Sequence, residues 1–390
     1  MIASIIVFFL LFLLPFIIAP FGVTQFENPK VIFAEIGIII LFLISLFSNR
    51  ISFQNRPKQL LIFSAIFVVT VIDLFFFRTP LSFFGNAFRM QGIFLLWLFL
   101  LFSFLIDNVP FGSSGFFLKW WVFCLLLYLE VLITFFLPLN ASLRYVGTLG
   151  EPNALAAFAI FLWPFGWFSV RDKKSEIISK ALLIIPVIIL LYLSGSRSGM
   201  IAFGIEILFL ILSKFFVIPS KVEESHTTQL PNRRNTYATQ LTLKRAAFIC
   251  LLVYVFSYIL PFVDQALYEN RVEVWQSAFF AGIINPGLGQ GFGNTEIALH
   301  NAAAGLGLPV QYYYVDSSHN IFLDWWVQGG VFGISLLIFL VYQTFIAFIK
   351  QKKKRELVLF LGMITILSFN PASIVGLLGF WWLIGRSSAP

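Results

Sequence analysis

The sequence predicts an all-α fold: a polytopic integral membrane protein of about 11–12 transmembrane helices, with one long external loop carrying short helices. Three observations lead there. Hydrophobic residues make up 59% of the 390-residue chain and charged residues 11%, against about 45–50% and about 25% in soluble domains. Mean hydropathy is +0.91. Apolar runs near the roughly 20 residues that a bilayer-crossing helix needs recur from end to end. A soluble core cannot hide that excess, and 50 Phe and 10 Trp suit lipid contact and interfacial belts.

The runs fall at 1–21, 31–48, 59–77, 91–106, 116–137, 153–170, 177–193, 199–217, 246–263 and 320–348. The first lacks a basic n-region and reads as a membrane helix rather than a cleaved signal peptide. A last run, 357–385, is interrupted by Asn370–Pro371, giving two short helices or one kinked one. No repeat of fixed period stands out. The chain reads as a single membrane domain, 1–390.

Basic residues orient these spans. With the N-terminus inside, 20 of the 26 Lys and Arg fall in inner segments and 6 in outer ones. That asymmetry explains the sequence pI of about 9.5 without a nucleic-acid partner. The inner stretch 218–245, rich in Ser, Thr and Asn, reads as a flexible cytoplasmic loop, and His226 in it as a solvated side chain. Lys352, Lys353, Lys354 and Arg355 form an inner-face anchor. Cys124 and Cys250 lie in separate apolar runs and read as small buried hydrophobes. No outer cluster of Asp and His has metal-ligand spacing, so neither metal nor cofactor is expected.

Five of the six outer basic residues are arginines: Arg78, Arg89, Arg144, Arg197 and Arg271. The guanidinium is a permanently charged planar fork that binds phosphate oxygens in pairs. Each alone reads as a snorkelling anchor; together they read as a binding set for a polyanion. Their contexts favour the second reading. Arg89 sits in FFGNAFRMQG just before a span, and Arg144 in LRYVGTLGEPNALAAF, where Pro152 suits the first turn of a helix. Arg197 sits in LSGSRSGMIAF, whose small residues let a ligand approach a helix N-terminus.

The segment 264–319 is the long external loop. Its NRVEVWQSAFFAGII stretch puts Trp275, Ala278, Phe279 and Gly282 at helical spacing, broadened by Val274 and Ala281. That predicts a short amphipathic surface helix with Arg271 at its start. NPGLGQGFG follows, without the strand–helix context of a dinucleotide fingerprint. It reads as a flexible turn, or as a loop whose backbone approaches substrate. His300 and Tyr312 to Tyr314 come later.

His319 ends the loop. Asp316, Ser317 or Ser318 can cap the helix that follows, placing His319 in its first turn at the positive dipole end. A neutral imidazole there is a candidate general base. A water-bonded helix-start residue is the other reading, and this stretch alone leaves both open.

Five stretches taken together resemble the O-antigen ligase and O-antigen polymerase superfamily of bacterial membrane glycosyltransferases. They are GNAFRMQG (85–92), GTLGEPNALAAF (147–158), SGSRSGMIAF (194–203), NRVEVWQSAFF with NPGLGQGFG (270–293), and SSHNIFLDWWVQGGVFG (317–333). The resemblance implies a helical membrane fold whose external loop covers an outward-facing cavity on the cytoplasmic (inner) membrane. It implies transfer of glycan from an undecaprenyl-diphosphate carrier. The acceptor is a lipid or protein for a ligase, as in lipopolysaccharide biosynthesis, and another lipid-linked repeat for a polymerase. It assigns His319, followed by Gly329 and Gly330, as the catalytic residue, and Arg197 and Arg271 as diphosphate-binding, with Arg89 a weaker match and Arg144 carried with less weight.

A glycosyl diphosphate carries its own leaving group. The expected chemistry is therefore metal-independent: arginines stabilise the departing charge and His319 deprotonates an acceptor hydroxyl. Attack opposite the diphosphate inverts the anomeric centre. Asp73, Glu206 and Asp324 lie in or near spans, where ionisable groups are costly and often functional, and Arg78 is a candidate partner for Asp73 near the outer surface. Such acids also suit a proton-coupled transporter, the alternative class. A non-catalytic scaffold for lipid-linked glycan is a third.

Overall fold

The computed structural model describes residues 2–48, 57–77, 79–106, 119–137, 144–170, 175–215, 233–263, 271–308 and 315–388. Arg78, His226 and Tyr312 to Tyr314 lie outside the described residues, as does any Asp73–Arg78 pair. Among the described residues the regular structure is helical, as an apolar solvent requires: a helix satisfies its own backbone.

α1 (Ile2–Phe8) continues through a π turn and a 3-10 turn to Phe16, closing at Pro15, which has no N–H to extend it. Then follow α2 (Glu27–Phe47), α3 (Pro57–Phe76), the short α4 (Pro80–Phe84), α5 (Ile93–Ile106) and α6 (Trp120–Phe136). α7 (Pro152–Ser169), α8 (Glu176–Ser194), α9 (Arg197–Phe215) and α10 (Arg233–Ser257) come next. α10 begins inside the stretch read as a flexible loop, where Ala, Gln, Leu, Lys and Arg favour helix. After the brief α11 (Leu260–Val263), the external segment forms α12 (Arg271–Ile284) and α13 (Thr295–Gly305). α14 (Ile321–Lys350), α15 (Lys354–Leu367) and α16 (Ile374–Ser388) complete the chain. The tail is thus two helices, parted where Pro371 withholds a backbone donor.

Among the described residues, five segments are long and apolar enough to cross a membrane: Glu27–Phe47, Gln59–Phe76, Glu176–Ser194, Leu241–Val263 and Ile321–Lys350. These are the peripheral helices. They turn apolar side chains outward, among them Ile40, Val68, Ile188, Phe256 and Ile338, as lipid contact demands. α5, α7, α15 and α16 are buried almost throughout and pack on one another. α5 and α15, at 14 residues each, rise only about 21 Å at 1.5 Å per residue. The bilayer hydrocarbon is about 30 Å thick. α5 and α15 are therefore shorter than the bilayer hydrocarbon is thick.

Segments expected on the outer side gather at one end. Asn28 Nδ2 donates to Ala87 O at 2.9 Å, Lys30 Nζ to Thr148 O at 2.8 Å, and Ile374 N to Glu27 Oε1 at 2.6 Å. Inner segments gather at the other, where Lys353 Nζ donates to Arg386 O at 3.0 Å and Gln351 Nε2 to Ser387 O at 2.8 Å.

The NPGLGQGFG loop has a different task from either expected. α14 is broken at Gly330, whose φ of 57° and ψ of −150° are not helical. The loop repairs the break. Gln290 N donates to Val327 O at 2.7 Å, Gly291 N to Gln328 O at 3.1 Å, and Val331 N to Pro286 O at 2.8 Å. A broken membrane helix survives when neighbouring protein satisfies its freed backbone groups. A Cβ on Gly330 would lie 2.4 Å from Gly287 O, in a conformation other residues rarely adopt. Gly330→Ala is expected to destabilise the protein by about 1–3 kcal/mol or more, seen as a lower thermal midpoint in detergent. An unchanged midpoint would contradict this account of the break.

The acids that sequence left unexplained have local partners. Asp73 Oδ2 accepts from Phe292 N at 2.8 Å, anchoring the glycine loop. Glu206 Oε2 accepts from Trp163 Nε1 at 2.6 Å. Asp324 Oδ1 accepts from Ser318 N at 2.7 Å. α12 also differs in one particular. Val274, Trp275, Ala278, Ala281 and Gly282 are buried, but Phe279 is exposed with Ile283 and Ile284. Trp326 turns Phe279 outward, donating Nε1 to Phe279 O at 3.0 Å and stacking on its ring.

Candidate functional site

His319 precedes α14 rather than opening it. The cap is Asn320, whose Oδ1 accepts from Phe322 N at 2.9 Å and Leu323 N at 3.3 Å. Asp316, Ser317 and Ser318, the expected caps, do other things. Asp316 pairs with Arg89. Ser317 Oγ accepts from His319 N at 3.0 Å. Ser318 Oγ donates to Asn320 O at 2.8 Å while its amide is held by Asp324. This closed turn keeps His319 at φ 57°, a left-handed conformation costing a non-glycine residue about 1–2 kcal/mol. Strain of that kind is sustained where surrounding structure over-determines it, often at functional sites.

The imidazole is half-buried, and its Nδ1 is buried with no hydrogen-bond partner among the described residues. Its pKa is pushed down to about 3, first by burial, then by the charges of Arg271 and Arg89. Burial first, and then the two guanidinium charges, thus favour the neutral form of His319.

Arg271 opens α12 and is buried. Its Nη2 donates to Asn370 Oδ1 at 3.4 Å. Asn370 Nδ2 donates to Ser198 Oγ at 2.6 Å. Ser198 and Ser196 hydroxyls lie 3.1 Å apart, and Ser196 Oγ donates to Asn153 Oδ1 at 2.9 Å. Arg144 Nη2 reaches the same Asn153 oxygen at 3.3 Å, while its Nε donates to Ser194 O at 2.7 Å. One polar chain therefore joins Arg144 to Arg271, and half-buried Arg197 opens α9 between its two serines.

Arg89 is committed elsewhere. Its Nη2 bonds Glu151 Oε1 at 2.7 Å and its Nε bonds Asp316. Burial works against its charge, but Glu151, Asp316 and Glu27 outweigh that and push its pKa upward. A cavity of about 220 Å³ opens beside it, lined by Glu27, Glu151, Glu296, Asp316, Phe26 and Phe88 among others. The structure thus brings Arg89 and Arg271 around His319 and joins Arg144 to Arg271 through the α9 start. His300 is exposed on α13 and takes no part.

Residues 181–338 match the family model described as O-antigen ligase. That stretch of the chain is thus similar to the O-antigen ligase family. The match runs from α8 into α14 and takes in Arg197, Arg271 and His319. No curated protein matches the chain. The match points broadly to a membrane enzyme of glycosyltransferase or ligase type.

Several contributors to the site escape sequence reading. Asn370 lay in a tail read only as broken, and a buried Asn beside the Pro of an apolar run was the available signal. Ser196 and Ser198 read as small spacers. Glu151 had no reading of its own and Asp316 read as a cap, and their shared partner Arg89 is 62 and 227 residues distant in sequence. Among the described residues no group of three or more His, Cys, Asp or Glu has the arrangement to hold a metal ion.

Proposed function

We propose that the protein moves glycan from an undecaprenyl-diphosphate-linked donor to an acceptor hydroxyl on the outer face of the cytoplasmic membrane. One observation carries this reading: a histidine stands close to a buried arginine that a polar chain links to Arg144, past the helix start that carries Arg197. In this reading Arg271 and Arg197 bind the diphosphate, with Arg144 behind them. Arg89, whose charge is already countered, holds the carboxylates of the neighbouring cavity and adds to the field at His319. The acceptor hydroxyl oxygen attacks the anomeric carbon, the carbon–oxygen bond to the diphosphate breaks, and the electron pair leaves with the diphosphate. His319 takes the hydroxyl proton. Arginines fixed before the reaction stabilise the charge that develops on the leaving oxygen. Attack from the face opposite the diphosphate inverts the anomeric centre.

Purified protein given a lipid-diphosphate glycan and a panel of acceptors tests the reading. One block added to a lipid or protein acceptor marks a ligase, and a ladder of repeats a polymerase. No transfer to any acceptor removes it. The polar groups clustered at one end support surface chemistry over a proton-coupled transporter, since Asp73, Glu206 and Asp324 are each engaged in a local hydrogen bond.

The pH profile follows from His319. A base works deprotonated, so rate falls as pH falls through its pKa. With that pKa near 3 in the free protein, kcat/KM is expected to lose nothing to His319 protonation between about pH 8 and 5. A bound diphosphate offsets the arginine charges, so the acid limb of kcat should lie above that of kcat/KM. A kcat/KM limb near 6.5, absent in His319→Ala, would contradict the free-state environment described here.

A further inference from the structure

Trp275 stands one turn on from Arg271, on the same buried face of α12. It is 8% exposed. Its indole Nε1 is buried and has no hydrogen-bond partner among the described residues. Indole nitrogen is a donor only, and buried Trp N–H groups usually find a partner. An orphan of this kind calls for an explanation.

Its surroundings supply one. The ring lies 5.6 Å from Tyr258, 6.2 Å from Phe369 and 6.3 Å from Phe262, measured between centroids. These neighbours fix the plane of the indole without offering an acceptor to its nitrogen. Two of them are tied into the site. Phe369 precedes Asn370, which accepts from Arg271. Tyr258 hydroxyl accepts from Asn320 Nδ2 at 3.3 Å, next to His319. Trp275 thus belongs to the wall that carries Arg271 and backs His319. A donor held rigid there, with no acceptor among the described residues, matches a ligand rich in acceptor oxygens.

We propose that the Trp275 indole N–H is a further substrate-binding group, donating to an oxygen of the diphosphate bound at Arg271. The inference rests on the diphosphate reading above, and the experiment separates the two. Indole-¹⁵N-labelled protein in detergent gives one N–H signal per tryptophan, and Trp275→Phe identifies the one that belongs to Trp275. Trp275→Tyr serves the same purpose if the phenylalanine variant does not fold. Farnesyl diphosphate is the probe and farnesol the control.

The Trp275 signal is expected to move downfield with farnesyl diphosphate and to stay with farnesol. Trp275→Phe, which keeps an aromatic ring but removes the N–H, should weaken farnesyl diphosphate binding about 10-fold or more, as loss of a hydrogen bond to a charged group implies. If wild type binds the probe and Arg271→Ala weakens it, but the Trp275 signal stays and Trp275→Phe binds normally, this inference falls and the diphosphate site stands. If wild type binds farnesyl diphosphate no better than farnesol, both fall.

Discussion

His319→Ala is expected to lower glycan transfer about 10²–10⁴-fold, the usual contribution of a positioned general base, while donor affinity and fold persist. The fold persists because the hydrogen bond that ties this residue into its turn uses its backbone: His319 N donates to Ser317 Oγ at 3.0 Å. Alanine keeps that donor. It keeps the strained φ as well, so the turn set by Ser318 and Asp324 gains no new freedom. Donor affinity persists because the groups assigned to the diphosphate are on α9 and α12. Removing the imidazole also removes a group that the guanidinium charges would repel once protonated. The measurement is steady-state transfer beside equilibrium binding of the donor. Normal transfer by a folded His319→Ala protein would exclude His319 as the base.

The second large effect concerns stability. Arg89→Ala is expected to cost about 3–5 kcal/mol, the range for removing one partner of a buried ion pair. Arg89 is 8% exposed and meets Glu151 and Asp316 directly, with Glu27 close enough to bear on its charge. Its loss strands at least Asp316 without a counter-charge, while Glu151 is partly solvated and suffers less. Arg89→Ala combined with Asp316→Asn should therefore recover part of the loss. Arg89→Lys should recover little, because an ammonium lacks the fork that reaches two carboxylates at once. Thermal unfolding of detergent-solubilised variants measures each. Equal midpoints for wild type and Arg89→Ala would mean that the ion pairs contribute nothing to the fold.

The spans were legible because lipid imposes a rule of length and polarity that each helix meets alone. The common end of Arg89, Arg144, Arg197, Arg271 and His319 was legible for a related reason, since alternating spans carry alternating ends. Pairings were not. Arg89 and Asp316 are 227 residues apart, and nothing local to either predicts the other. The break at Gly330 was hidden because the apolar run continues through it, and the repair comes from backbone donors at Gln290 and Gly291 and a backbone acceptor at Pro286, 37–45 residues earlier. Asn320 lost the capping assignment to its neighbours because Asp, Ser and Asn are nearly equivalent caps. Tertiary demand decided among them: Asp316 was taken by Arg89, and Ser318 by Asp324. The glycine loop read as flexible because glycine content reports conformational range, not the partner that restricts it.

The central claim is chemistry on a lipid diphosphate at one membrane face, and its stoichiometry tests it most directly. The measurement is free lipid diphosphate released per glycan transferred, in proteoliposomes of the purified protein with and without a proton gradient. One lipid diphosphate per transfer event, at a rate indifferent to the gradient, is the predicted result. Glycan or solute crossing the membrane with no diphosphate released, at a rate set by the gradient, would contradict it.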